Sequence, residues 1–291
     1  MSDTMISFAD NSLAESFMSM EDIKKACPAA FKENPTNPKV SDKYVQANTA
    51  TVISDLEKLG WYPVQAKQCR MKRNSSGIRS FHMIAFQNPD VYIEKPDGEG
   101  GATIDAYPRI ILTNSHDGFN SFKFMVGLFR LVCSNGLVIA TDDFIDLTIR
   151  HINYDFEALR DVVKTAIDTI PNIICKMNSM KNTILTEDEK KELATSVIKI
   201  RKNIPEDEKF DIDEDTIMDI LMPKREEDNG DDLWTVFNVC QEKMIKGGYS
   251  AMSSKNKVRK QRSITSIKRD VDCNQKLWEV ASRFMPATVA A

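Results

Sequence analysis

The densest group of potentially reactive side chains lies between residues 114 and 151. Asn114, His116 and Asp117 fall within one pentapeptide, NSHDG, and His151 follows later in the chain. Two imidazoles and a carboxylate could form a metal site or a catalytic cluster if folding brought them together. The same pentapeptide is typical of a turn, because Asn and Asp bond to nearby backbone groups and Gly permits positive φ. We favour the turn, since the histidines show no metal-ligand spacing.

An enzyme would need more than this cluster. A metal-dependent nuclease normally places several carboxylates around a divalent ion. The acids closest in sequence are Asp117, Asp142, Asp143 and Asp146. Their spacing matches no hydrolase motif, and the chain has neither a phosphate-binding glycine loop nor a Cys-x-x-Cys pair. We therefore predict no catalytic residue, no metal and no cofactor, with a nuclease or nucleotide-modifying enzyme as the alternative.

Arg130 and Cys133 precede Asn135 and Gly136, which interrupt an apolar run. Arg130 could contact a phosphate, or it could bridge Asp117 or cap exposed carbonyl groups. Cys133 is typical of a small buried hydrophobic side chain, because no Lys or His adjoins it in sequence to lower its pKa.

Charge is segregated along the chain, although the net charge is only −4. Residues 64–89 hold five basic side chains and no acid, and residues 255–269 hold seven and no acid. Residues 206–232 instead hold thirteen acids against three bases, a balance of −10. The basic side chains are Lys67, Arg70, Lys72, Arg73 and Arg79 in the first stretch and Lys255, Lys257, Arg259, Lys260, Arg262, Lys268 and Arg269 in the second.

Clustered Lys and Arg residues predict contact with the phosphates of a nucleic acid. Trp61 and Tyr62 precede the first basic stretch and Phe81 follows it, so these three are candidates for stacking on bases. The alternative is that both stretches are solvated loops, paired in part with the acidic segment. Phe122 and Phe124 alternate with Lys123 and Met125, as in a half-buried strand, and we assign them to the core.

The periodicity of the apolar residues predicts an α+β fold. An N-terminal helix over 45–59 precedes a central antiparallel sheet, in which a basic β-hairpin turns at 74–77. Helical spacing begins near residue 156, and Thr186 with Glu189 predicts a capping box. No apolar run approaches the roughly 20 residues that a membrane span needs, so we expect no membrane contact. The predicted parts are an N-terminal extension (1–40), an α+β core (41–153) and a helical region (154–291) with an acidic segment (206–232) and a basic tail (255–269).

Several segments resemble the phage/plasmid-like family catalogued as domain of unknown function 932. The segments are NSHDG (114–118), FRLVCSNGL (129–137), IRH (149–151), DLWTVFNVCQEKMIKGGY (232–249) and KVRKQRSITSIKRDVDCNQKLW (257–278). The resemblance covers about residues 60–290 and leaves 1–40 outside. The residues that carry the central motifs are Asn114, His116, Asp117, Arg130, Asn135, Gly136, Arg150 and His151.

This resemblance implies a bacteriophage source, and hence the cytoplasm of the infected bacterial host. Together with the basic stretches, it leads us to expect a nucleic-acid-binding protein that acts on single-stranded DNA in phage replication or recombination. A sheet with a basic hairpin followed by helices is similar in architecture to phage single-strand annealing proteins, which work as rings or filaments, so we expect a homo-oligomer. An interaction protein that binds a host factor through residues 206–232 is a further alternative.

Overall fold

The computed structural model describes residues 17–35, 37, 48–69, 80–96, 100–118, 120, 122–130, 135–138, 147–149, 156–252 and 258–286. Two compact units divide the chain, residues 1–169 and 170–291. The division falls within the long helix Phe156–Asn182, later than the boundary at residue 154 that the sequence suggested. None of the described helices is long and apolar enough to cross a membrane.

The α+β class predicted from the sequence is confirmed. The described α-helices are α1 (Met20–Ala26), α2 (Thr49–Lys58), α3 (Phe156–Asn182), α4 (Glu187–Lys202), α5 (Glu214–Leu221), α6 (Leu233–Lys246) and α7 (Ile267–Ser282). The described strands are β1 (Tyr62–Gln68), β2 (His82–Gln87), β3 (Ile93–Pro96), β4 (Ala102–Asn114), β5 (Phe122–Arg130), β6 (Asn135–Val138), β7 (Leu147–Ile149), β8 (Ser250–Met252) and β9 (Val258–Lys260).

Strands β1 to β7 form one antiparallel sheet in the first unit, in the order β1-β2-β4-β5-β6. Strand β3 pairs with β4, and β7 pairs with β5. In β1 and β2, Tyr62 lies opposite Gln87 and Gln68 lies opposite His82, so the two arms of the predicted basic hairpin are antiparallel neighbours. Residues 70–79, which join these arms and include the predicted turn, lie outside the described residues.

One face of this sheet is an apolar core, because successive side chains of a strand point to opposite faces. Strands β2, β4 and β5 contribute to it Ile84, Phe86, Ile110, Leu112, Phe122, Phe124, Val126 and Leu128, each at most 2% exposed. The rings of Phe122 and Phe124 meet edge to face with centroids 5.0 Å apart, which confirms their assignment to the core. Helix α2 packs against β1 and buries Val52, Ile53 and Leu56 completely.

In the second unit, local signals set the ends of the helices. The capping box at Thr186 and Glu189 is present with both of its hydrogen bonds, as predicted. Asp232 caps α6, whose residues from Leu233 to Met244 are all buried except Thr235.

Helix α6 ends where another part of the chain comes unusually close. Gly247 has φ of +69°, and a Cβ at this position would lie only 2.5 Å from the Gln261 carbonyl oxygen. Gly248 then donates its N–H to that same carbonyl at 2.9 Å, and Gln261 donates to the Tyr249 carbonyl at 2.8 Å. The two glycines therefore allow the antiparallel β8–β9 hairpin to fold back beside the end of α6.

Candidate functional site

The Asn-Ser-His-Asp-Gly segment is a deeply buried turn between β4 and β5. Asn114 ends β4; it, Ser115 and His116 are 0% exposed, and Asp117 is 2% exposed. The Asn114 Oδ1 atom accepts a hydrogen bond from the Ser115 N–H at 2.7 Å. Gly118 has φ of +73°, a left-handed conformation that favours glycine. The segment is a turn, as the sequence predicted, but it lies inside the protein rather than on a solvated loop.

The side chain of Thr49, in the first turn of α2, is the centre of the hydrogen bonds that hold this turn. Its Oγ1 lies 3.0 Å from His82 Nε2 and 3.1 Å from His116 Nε2. The side-chain amide of Asn114 donates to the same oxygen at 3.0 Å. Thr49 and His82 are both 0% exposed. One buried hydroxyl therefore connects α2, β2 and the β4–β5 turn.

Ser80 attaches the turn to the residues just before β2. Its N–H donates to Asp117 Oδ2 at 3.1 Å, and its Oγ accepts from the His116 N–H at 2.7 Å. Its carbonyl oxygen lies 2.7 Å from His82 Nδ1. The Asp117 carboxylate therefore serves as an acceptor inside the fold. The buried polar cluster, as we name it, consists of Thr49, Ser80, His82, Asn114, His116 and Asp117.

These contacts determine which nitrogen of each imidazole carries a proton. A carbonyl oxygen only accepts, so His82 Nδ1 carries the proton that bonds to Ser80. A neutral His82 then has no proton on Nε2, which accepts from the Thr49 hydroxyl. Since that hydroxyl has no second proton, His116 Nε2 must donate to it, beside Asn114. The one donor and two acceptor positions of Thr49 are then all used.

Burial keeps His82 neutral. Removal from water lowers the pKa of His82 from 6.5 to about 4, although the Ser80 carbonyl and the charge of Asp117 oppose this change. A second proton would sit on Nε2 and face the Thr49 oxygen, which already receives two N–H donors. The cluster thus stabilises the fold in its neutral form and loses a hydrogen bond when His82 is protonated.

The same burial removes Asn114, His116 and Asp117 from contact with any substrate in this conformation. Among the residues that the structure describes, no group of three or more His, Cys, Asp and Glu side chains could hold a metal ion. Asn135 and Gly136 lie in β6, opposite Arg130 and Phe129 of β5. The remaining candidates lie outside the described residues: the Arg130 side chain, Cys133, Asp142, Asp143, Asp146, Arg150 and His151.

The first basic stretch is described only at its start, where Lys67 of β1 is partly exposed. Arg70, Lys72, Arg73 and Arg79 lie outside the described residues.

The structure corrects one of the three stacking candidates beside this stretch. Trp61 is only 1% exposed, because it follows the end of α2 and its ring enters the core, so its assignment to base stacking is wrong. Tyr62 is partly exposed and stacks on Phe17 with ring centroids 4.9 Å apart and 21° between the planes. Phe81 is also partly exposed. The possible stacking surface beside β1 is therefore reduced to Tyr62 and Phe81.

The second basic stretch divides into exposed cations and one cation with a structural role. Arg259, Lys260, Arg262 and Lys268 are exposed, and Lys255 and Lys257 lie outside the described residues. Arg269 instead donates to the carbonyls of Ile200 and Arg201 at the end of α4 and forms an ion pair with Asp272. Its guanidinium satisfies carbonyl groups that a helix end leaves without partners. The Arg269 guanidinium is therefore used within the fold, unlike the exposed cations of the same stretch.

Much of the acidic segment 206–232 is also used within the fold. Seven of its thirteen acids pair with a cation or cap a helix: Glu206, Asp213, Glu214, Asp219, Asp228, Asp231 and Asp232. More than half of these acidic side chains are therefore used in ion pairs or helix caps within the second unit. If residues 206–232 bind a host factor by imitating nucleic acid, the remaining acids of this segment must make the contacts.

Sequence reasoning missed half of the buried polar cluster. Thr49, Ser80 and His82 have no local sequence pattern that predicts their hydrogen bonds. Apart from the Ser80–His82 pair, their partners lie 33 or more residues away in the chain. The placement of His82 on the apolar core face of β2 is the one available signal, since a polar residue at a core position needs a partner.

Comparisons with known proteins agree with the resemblance carried by the motifs. The model of the family described as "domain of unknown function (DUF932)" matches residues 38–278, and so includes α2, which the motifs did not reach. The chain is 28% identical over 273 residues to UPF0380 protein YafZ of Escherichia coli strain K12, covering 92% of both chains. It is 27% identical, with the same coverage, to UPF0380 protein YfjQ of that organism. No solved structure matches the chain.

The buried His82 predicts a loss of stability in acid. Because its folded pKa lies below the unfolded value of 6.5, its contribution is complete above that pH and is lost as the pH falls toward 4. The part due to His82 amounts to about 3 kcal/mol of unfolding free energy. Replacing His82→Gln should lower stability at neutral pH and flatten this pH dependence, measured by urea unfolding from pH 7 to pH 4. Equal slopes for the variant and the native protein would contradict the assignment.

Proposed function

This chain belongs to the DUF932 family, and we propose that it binds single-stranded nucleic acid through the β8–β9 hairpin of its second unit. In this proposal the chain acts in phage replication or recombination, in the cytoplasm of the bacterial host. The nucleotide strand is held mainly by its phosphates, so binding is tolerant of sequence.

The observation that carries the proposal is the exposure of Arg259, Lys260 and Arg262. In the described part of the chain, these three side chains form no ion pair and no hydrogen bond. Other cations of this unit form ion pairs. Arg225 pairs with Glu242 and Asp228, and Lys243 pairs with Asp219. A protein gains no folding stability from leaving cations exposed together, whereas a polyanion gains several contacts from them.

The residues around the hairpin favour a flexible strand as the ligand. Met252 and Val258 face each other in register and are 44% and 68% exposed, so they offer apolar surface next to the cations. Asp219 of α5 accepts from the Ser250 N–H of β8 at 2.8 Å, pairs with Lys243 and also attracts Lys260 electrostatically. Asp219 therefore offsets part of the charge of Lys260, while Arg259 and Arg262 have no acid partner in the part of the chain that the structure describes.

Replacing Arg259 and Lys260 together by Ala should weaken binding to a labelled dT oligonucleotide for every strand sequence alike. For single strands, the slope of log K against log salt is about −0.7 for each neutralised phosphate, so the slope should become shallower by about 1.4. The measurement is fluorescence anisotropy over a salt series. The matched control is the double variant Lys24→Ala and Lys209→Ala, which removes two exposed cations elsewhere and should change the slope little.

Arg269→Ala provides a contrast, because it should lower the free energy of unfolding through the loss of its bonds to α4. For the folded Arg269→Ala protein, the slope of log K against log salt should stay close to that of the native protein. Binding that does not depend on salt, or no binding at low salt, would contradict the proposed function and favour a protein partner.

We also propose that the chain assembles with itself, because a net charge of −4 opposes binding of one copy to a polyanion. Several copies along one strand would present a continuous row of exposed cations. Light scattering should give a mass above 33.0 kDa, at least when a long dT oligonucleotide is present. A strict monomer under both conditions would argue against an annealing role.

A further inference from the structure

Four of the six large apolar side chains that are exposed among the described residues belong to two elements of the second unit, α5 and the β8–β9 hairpin. Met218 and Met222, one turn apart at the C-terminal end of α5, are 52% and 65% exposed. Met252 and Val258 of the hairpin face each other in register and are similarly exposed. Large apolar side chains that are exposed in one place are typical of a surface that binds a partner.

Direct interactions hold α5 beside the hairpin. Asp219 of α5 accepts a hydrogen bond from the Ser250 N–H of β8, two residues before Met252 in the chain. The same carboxylate attracts Lys260, which lies opposite Ser250 in register. Since Met218 directly precedes Asp219 and Met222 follows one turn later, the exposed apolar side chains of both elements flank this contact. The methionine patch, as we name it, consists of Asp215, Met218, Met222, Met252, Val258 and Lys260.

The methionine patch contains one acid on the helix and one base on the hairpin. Asp215 lies three residues before Met218 and seven before Met222, so all three share one side of α5. Its exposed carboxylate forms no ion pair or hydrogen bond in the described part of the chain. Lys260 lies two residues after Val258, on the same face of β9, and is exposed too. Both charges are therefore open to a partner.

This distribution of charge makes the patch complementary to itself. A twofold axis between α5 and the hairpin would place the helix of each copy against the hairpin of the other. Asp215 of each copy would then meet Lys260 of the other, with the methionines packed between the two ion pairs. An acidic partner would match Lys260 alone and a basic partner would match Asp215 alone, whereas a second copy matches both. Methionine suits such a contact, because its unbranched side chain adapts to the opposite surface.

We propose that two copies of the chain form a twofold-symmetric dimer through the methionine patch, with Asp215 of each copy paired to Lys260 of the other. The dimer needs no nucleic acid, and it supplies a surface for the self-assembly proposed above. Met252 and Val258 can face only one partner at a time. The dimer and a bound strand therefore exclude each other at the hairpin, and this second part rests on the proposed function.

Sedimentation equilibrium of the whole chain without nucleic acid measures the dimer directly. The mass of the native protein should rise with concentration from 33.0 kDa toward twice that value. Asp215→Lys and Lys260→Glu should each weaken the dimer about tenfold or more, because each puts two like-charge pairs into a twofold interface. Glu279→Lys, at an exposed acid of α7 outside the patch, is the matched control and should leave the dimer unchanged.

An equimolar mixture of Asp215→Lys and Lys260→Glu tests the pairing itself. In the mixed dimer both pairs again join opposite charges, so dimerisation should return although neither variant dimerises well alone. A mixture that stays monomeric would overturn the Asp215–Lys260 pairing. A native protein that remains at 33.0 kDa at every concentration, or two charge variants that dimerise like the native protein, would overturn the dimer.

The double variant Met218→Ser and Met222→Ser tests the apolar part of the interface. It should weaken the dimer and leave the free energy of unfolding nearly unchanged, because both side chains are exposed in the single copy. Ile184→Ser, at a side chain of the same unit that is also exposed, is its control. Should a charge variant fail to fold, this double variant decides, and native-like dimerisation by it would contradict the methionine patch.

A short dT oligonucleotide separates the dimer from the proposed function. An oligonucleotide that holds one copy should dissociate the native dimer, and the double methionine variant should bind it more tightly, because no dimer has to be broken. A strand that binds while the dimer stays intact would overturn the exclusion. An intact dimer with no strand binding at all would contradict the proposed function and the exclusion together, and would leave the dimer standing.

Discussion

The first unit depends on a single hydroxyl group whose hydrogen-bonding positions are all used. Thr49 gives its proton to His82 and accepts from His116 and Asn114, at distances between 3.0 and 3.1 Å. Three elements meet at this oxygen, so α2 cannot shift on the sheet without leaving a buried polar atom unpaired. The neutral state of His82 and the position of the β4–β5 turn are consequences of the same constraint.

These hydrogen bonds assign the side chains of the NSHDG motif a role in holding the fold together. Its side chains are used in hydrogen bonds inside the fold, and the cations left for a ligand include Arg259 and Lys260 on the hairpin of the second unit. In this chain the motif is therefore a feature of the fold rather than of a ligand site. Binding is expected from side chains outside this central motif, on the β8–β9 hairpin.

The sequence correctly predicted features that depend on residues close together in the chain. The capping box at Thr186 and the alternation that buries Phe122 were both predicted, because each depends on neighbours within a few residues. The burial of Trp61, the use of Arg269 by α4 and the bridging role of Thr49 were not, because each depends on a partner distant in sequence. The clustering of Lys and Arg in the sequence likewise could not show which of these cations would bind other groups of the protein.

The most direct test of the central hydrogen-bond arrangement is the nitrogen chemical shift of each histidine, by NMR at about pH 6.5. The chain contains only three histidines, so substitution of each one assigns the signals. We predict a neutral His82 with its proton on Nδ1 and a His116 with a proton on Nε2. A His82 that is charged at this pH, or that carries its proton on Nε2, would contradict the account.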